Sequence, residues 1–252
     1  MKNTLIATLI AASLALSACD SDDDDDSPSV DPTETTDPSD PADPTAESAT
    51  FQVTFTNLSN QLVTPPVVAI HDASIHLFQI GEEATDAVQA IAEMGDNAPL
   101  VAFATDEANA ELVSAAGVAG AGPFGPGGTE TLSLTTDQAD HVFSAVNMVI
   151  CTNDAIAGFD SISLPTGTDP LTLTAVVYDA GTRQNQQDSE TFFPPPCRVG
   201  DVVEAPLEDP RQNIGPHPGY SGLNVPTEGP AAGLDFTLNT GDTVLQVEIV
   251  RN

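Results

Sequence analysis

Apolar residues along much of this chain recur at every second position. Phe51-Gln-Val-Thr-Phe-Thr56 alternates large apolar with polar side chains, and Thr131-Leu-Ser-Leu-Thr135, Leu171-Thr-Leu-Thr-Ala-Val-Val-Tyr178 and Val244-Leu-Gln-Val-Glu-Ile-Val250 do much the same. A period of two puts alternate side chains on opposite faces of an extended chain, so each segment predicts a half-buried antiparallel strand. Two stretches depart from this pattern. Ala84–Met94 places Ala87, Val88, Ile91 and Met94 near one helical face with Gly95 as a stop, and Asp106–Ala116 predicts a second helix with Asp106 near its cap. Gly120–Gly128, rich in Gly and Pro, predicts a loop. No internal repeat is visible. The roughly 200 residues from 51 to 252 suffice for one well-buried core, and the expected class is an all-β antiparallel β-sandwich with minor helices.

The first 50 residues follow different rules. Lys2 precedes an apolar run from Leu5 to Leu16, broken only by Thr8 and Ser13, and Ser17-Ala18-Cys19 follows. The run is too short to cross a bilayer as a mature helix, which takes about 20 residues. A charged start, a short apolar core and small residues at the exit describe a signal peptide over residues 1–18. The cysteine at the exit resembles the lipobox of bacterial lipoproteins, which implies cleavage before Cys19, lipid attachment to Cys19 and anchoring in the cell envelope. Residues 19–50 then read as an acidic tether. They carry the run Asp22–Asp26 and five prolines, and Val30 is their only large aliphatic residue, too little apolar surface to offset the entropy of folding.

Charge narrows the partners. Five basic residues stand against 38 acidic ones, for a formal net charge of −33, and no lysine follows Lys2. Such a surface repels nucleic acid and anionic headgroups. It suits cations, and it equally suits solubility in salty water. Of three cysteines, Cys19 is assigned to lipid, leaving Cys151 and Cys197 as an expected disulfide in an oxidising compartment, with two unpaired core thiols as the alternative.

Several segments together resemble a family. Pro66-Val-Val-Ala-Ile-His71-Asp, Leu77-Phe-Gln-Ile-Gly81, Ala92-Glu93-Met-Gly95-Asp, Asn153-Asp154-Ala-Ile-Ala-Gly158-Phe-Asp160-Ser and Tyr178-Asp179-Ala-Gly181-Thr182 occur in the order found in spondin domains, the N-terminal modules of F-spondin and mindin. The resemblance covers roughly residues 50 to 250 and implies a β-sandwich similar to C2 domains. It also implies calcium at one end of the sandwich, with Asp154 and Asp179 at two ligand positions. Carboxylates on loops are suitable donors, since calcium takes six to eight oxygens. The position that carries a third carboxylate in animal members is Arg183 here. Its guanidinium is expected to repel the ion or to fill the site through an ion pair with Asp179. Asp160, Asp188 or Glu190 are candidates to compensate. Without an ion, Asp154 and Asp179 would serve as turn residues.

Other chemistry is thinner. His71 and His76 flank Asp72, but a spacing of five fits neither one helix face nor one strand face. His217 sits in a turn-like segment. Glu93, near the end of the first expected helix, either ties a loop down or acts as a base with no identifiable partner. There is no Gly-x-Ser-x-Gly elbow and no phosphate-binding loop. Asn57-Leu-Ser59 fits a glycosylation sequon. Two readings therefore stand. The leader implies a lipid anchor, and the resemblance implies a non-enzymatic binding or adhesion module with calcium as its candidate organiser, facing an extracellular or periplasmic ligand. The alternatives are an enzyme of unrecognised type using His71, His76 or Glu93, and a purely structural envelope protein.

Overall fold

The computed structural model describes residues 48–185, 207–208, 210–220, 232–233 and 235–252. The expected leader, Cys19 and nearly all of the expected tether lie outside the described residues. In chain order the elements are β1 (Ala49–Asn57), β2 (Val67–His71), α1 (Asp86–Met94), α2 (Ala98–Thr105), β3 (Val113–Val118), β4 (Thr129–Thr136), β5 (Val142–Met148), β6 (Ala155–Ser163), β7 (Leu171–Val176), β8 (Tyr178–Asp179), β9 (Gly215–Pro216) and β10 (Thr243–Arg251). β1 starts at Ala49, two residues before the boundary expected for the tether. The strands form a four-stranded sheet, β4-β1-β10-β7, and a six-stranded sheet, β3-β2-β5-β6-β8-β9, with antiparallel pairing throughout. The expected β-sandwich is present.

The four-stranded sheet has one wet face, so its sequence alternates. Phe51, Val53 and Phe55 of β1 are buried, as are Val247 and Ile249 opposite them on β10. On the other face threonines pair across β1 and β4, Thr50 with Thr135 at 2.9 Å and Thr54 with Thr131 at 3.1 Å. The two sheets meet where the Phe55 and Phe143 rings stack with centroids 6.5 Å apart.

The six-stranded sheet is covered on both faces, and its central strands do not alternate. All of β2, all but the first residue of β5 and the first half of β6 are buried. The outer cover is α1, packed on β5 and β6, and α2, packed on β2 and β3, together with buried Leu77 and Phe78. α1 forms where a helix is expected, starting at Asp86, but its buried face is Val88, Ile91, Ala92 and Glu93, and Met94 is exposed. Thr85 Oγ1 accepts the Val88 N–H at 3.2 Å, and Gly95 ends the helix in the left-handed conformation at φ 65°.

Two expectations are corrected. The helix expected over 106–116 is absent: Asp106 caps only a 3-10 turn over Glu107–Asn109, and Val113–Val118 is a strand paired with β2. Pairing and burial override the local helix preference of an alanine-rich stretch. The second helix lies earlier, with Pro99 in its first turn, where the missing N–H costs nothing. The segment 171–178 also divides. β7 pairs with β10 in one sheet, buried Val177 crosses over, and β8 pairs with β6 and β9 in the other. This switch delivers Asp179 to the end of the six-stranded sheet.

Gly158 of β6 lies where Phe78 packs down on the sheet. A Cβ there would sit 2.3 Å from the Ala145 carbonyl oxygen and 2.8 Å from the Phe78 ring. Gly158→Ala is therefore expected to destabilise the fold by about 1–3 kcal/mol, as overpacking does. A lowered urea midpoint is the expected reading, and wild-type stability would contradict this packing.

Candidate functional site

Asp154 ends the turn before β6, and β6 pairs with β8 through Ala155 and Asp179. This register sets two aspartates side by side at one end of the sheet. The residues after Asp179 close around Asp154. Asp179 Oδ1 accepts the Gly181 N–H at 2.7 Å, forming an Asx turn. Gly181 has φ 68°, and a Cβ on it would meet the Gln212 carbonyl oxygen at 2.4 Å, so this glycine is required both by conformation and by close approach. The turn aims Thr182 and Arg183 at Asp154. Oδ2 of Asp154 accepts the Thr182 N–H at 2.9 Å, the Thr182 hydroxyl at 3.3 Å and the Arg183 N–H at 2.8 Å.

The other oxygen of Asp154 has no such support. Asp154 is fully buried, and its Oδ1 has no hydrogen-bond partner among the described residues. Burial, and then the neighbouring charge of Asp179, push its pKa up to about 7 against the hydrogen bonds on Oδ2, which pull the other way. Among the described residues this buried carboxylate thus has one satisfied and one orphaned oxygen.

Arg183 is expected from the sequence to repel an ion or to fill the site through an ion pair with Asp179. Among the described residues, the Arg183 guanidinium pairs with Glu93 of α1, Nη2 to Oε2 at 2.7 Å, rather than with Asp179. Glu93 is itself buried, and its Oε1 accepts the Gln89 side-chain amide at 2.8 Å. Glu93 thus ties the 182–183 turn to α1. Asp179 Oδ2 instead accepts the side-chain amide of Asn185. A polar cleft of about 550 Å³ opens here, lined among others by Asp179, Asn185, Glu208 and Gln212.

Asp160 is not part of this pair. It lies six residues further along β6, on the order of 20 Å at strand rise. There it binds His76 Nδ1 at 2.9 and 3.1 Å and the Ser161 hydroxyl at 3.0 Å. A β-bulge sets this up: Phe143 opposes Ile162 and Ala145 opposes Phe159, leaving Asp160 and Ser161 opposite Ser144. Ser161 takes φ 54°, and its N–H donates to Ser144 Oγ at 2.9 Å. His71 locks the arrangement. Asp72 O can only accept, so His71 Nδ1–H donates to it at 2.9 Å, and Nε2 accepts the Ser144 hydroxyl at 2.7 Å. Burial lowers the His71 pKa, keeping the ring neutral. His71 and His76 are therefore parts of a bulge clamp, and Glu93 belongs to the arginine pair. His217 is buried and accepts the Gly219 N–H at 3.0 Å.

Among the described residues no group of three or more His, Cys, Asp or Glu is arranged to hold a metal. The two aspartates stand without a third carboxylate; Asp188 and Glu190 lie outside the described residues. Cys151 is fully buried, and Cys197 lies outside the described residues. Asn57, the sequon residue, is buried and donates to the Gln61 and Phe124 carbonyls at 2.8 and 3.0 Å, so it is a structural amide. Thr182 gives no sequence signal beyond its place in a family-like segment; Glu93 and Arg183 each stand out in the sequence, but their pairing does not.

The raised pKa of Asp154 has a consequence for stability. Between 3.8, where the unfolded chain releases this proton, and about 7, the folded state holds more protons. Stability therefore falls as pH rises through that window, by up to about 1.4 kcal/mol per unit. In chelator, Asp154→Asn is expected to gain stability relative to wild type between pH 4 and 7, read from urea midpoints. Parallel curves would contradict the burial of an unpartnered carboxylate.

The family model Spondin_N matches residues 48–198. No curated protein matches the chain closely enough to count as a relative. The matched segment runs from the start of β1 through β8 and includes Asp154, Asp179, Gly181, Thr182 and Arg183. With more than half its length covered, the chain belongs to the spondin N-terminal domain family.

Proposed function

We propose that this chain is a lipid-anchored binding module of the cell envelope, organised by a calcium ion at Asp154 and Asp179. Its family is one of extracellular binding and adhesion modules rather than enzymes. The observation that carries the calcium reading is the orphaned, fully buried Oδ1 of Asp154 beside a second aspartate. Bound calcium supplies the positive charge this pair lacks. Asp154 and Asp179 would hold it, with carbonyl and amide oxygens of the surrounding turns and water as further donors. The ion then fixes the loops that border the polar cleft, the surface offered to a ligand. Arg183 does not oppose this reading, because its guanidinium is taken by Glu93.

The anchor rests on Lys2, the apolar run and Cys19. Among the described residues no helix is long and apolar enough to cross a membrane. The acidic tether then holds the sandwich away from the bilayer. A catalytic role for His71, His76 or Glu93 finds little support. Both ring nitrogens of His71 are bonded, and Glu93 is committed to Arg183 and Gln89. We also propose a Cys151–Cys197 disulfide, from the two cysteines that remain once Cys19 is assigned to lipid. Peptide mapping under non-reducing conditions should recover both cysteines in one linked fragment; separate alkylated peptides would refute it.

Calcium titration of the mature chain in detergent, by calorimetry with melts alongside, tests the main reading. One site is expected, with a dissociation constant on the order of 0.1–1 mM, as in extracellular modules, and a melting temperature that rises with calcium. Asp154→Asn and Asp179→Asn should each abolish the heat. No heat and no melting shift in the wild type would refute the calcium centre.

A further inference from the structure

We propose that Glu93 is the positioning residue that keeps the Asp154–Asp179 pair open to a cation, by drawing the Arg183 guanidinium onto α1. The inference rests on the calcium reading above.

Arg183 is bound to Asp154 through its backbone, the N–H donating to Oδ2 at 2.8 Å. Its side chain therefore starts next to a buried carboxylate whose Oδ1 has no partner among the described residues. Electrostatics alone would turn the guanidinium inward to neutralise two adjacent aspartates. It goes the other way, to Glu93 Oε2 at 2.7 Å. Glu93 can compete because it is preorganised. It sits in the last turn of α1, is buried, and has its other oxygen held by Gln89 at 2.8 Å. Gln89 is in turn braced by Arg211, whose guanidinium also bonds the Ala84 carbonyl at 3.1 Å. One face of α1 thus presents a fixed anion to Arg183, and the internal cation stays outside the pair where the external one belongs.

If Glu93 loses its charge, the balance shifts and the guanidinium competes with calcium for the aspartates. Removing both charges should restore the site, because the Arg183 N–H that holds Asp154 belongs to the backbone and survives any side-chain change.

Calcium calorimetry on the full mature wild type, Glu93→Gln and Glu93→Gln/Arg183→Gln, each checked for folding by circular dichroism, tests this. Glu93→Gln is expected to bind calcium about tenfold more weakly or worse, the scale on which an opposite charge within contact range acts. The double variant should return to near wild-type affinity. Wild-type affinity in Glu93→Gln overturns the proposal while leaving the calcium reading intact. Failure of the double variant to recover, or failure of either variant to fold, also overturns it, since Glu93 then acts through the helix itself. No binding by the wild type overturns the calcium reading and this inference together.

Discussion

A carboxylate taken fully out of water must be answered by donors, by a proton or by a cation, and among the described residues Asp154 has donors for only one of its oxygens. Much of the sandwich end can be understood from this constraint. Three donors from two residues meet Oδ2, and to bring them there the chain needs the Asx turn at Asp179, the left-handed Gly181 and the sheet switch at Val177. Asp179 is placed beside Asp154 by the same register and adds its negative charge. The order that Thr182 and Arg183 supply is thus coupled to a charge deficit at Oδ1.

The two polar assemblies of the six-stranded sheet solve opposite problems. Around His71, every hydrogen-bonding group has a partner: imidazole, serine hydroxyl and backbone close a neutral chain that fixes the bulge at Asp160 and Ser161. Such a network stabilises one arrangement and leaves the ring nothing to do chemically. Around Asp154, one atom is left open. The difference separates a closed structural cluster from one with an open acceptor, although both are built of residues that look equally reactive in the sequence.

How far the sequence was legible follows from where water touches the sheets. β1, β4, β7 and β10 each have a solvent face, so alternation reports them within a residue or two. β2, β5 and β6 are buried on both sides by α1, α2 and the loop carrying Phe78, and a run such as Val67–His71 carries no period to read. α1 was legible through its periodicity and Gly95. The 106–116 stretch misled because its fate is set by β2, some 45 residues earlier in the chain. At the site, Asp154 and Asp179 were accessible through family resemblance. That Arg183 turns to Glu93 was not, because the two are 90 residues apart and only the folded α1 brings them together. Asp160 was a candidate to compensate for Arg183, yet the bulge commits it to His76.

The open oxygen of Asp154 either receives a cation or keeps its proton. Carbon-13 NMR of the Asp154 side-chain carboxyl, followed against pH with and without calcium, reads this atom directly. Without calcium, the carboxyl should titrate near pH 7. Saturating calcium should hold it ionised well below that value, because the ion takes the place of the proton. A carboxyl that titrates in the ordinary range near 3.8, or whose midpoint is indifferent to calcium, would contradict the account.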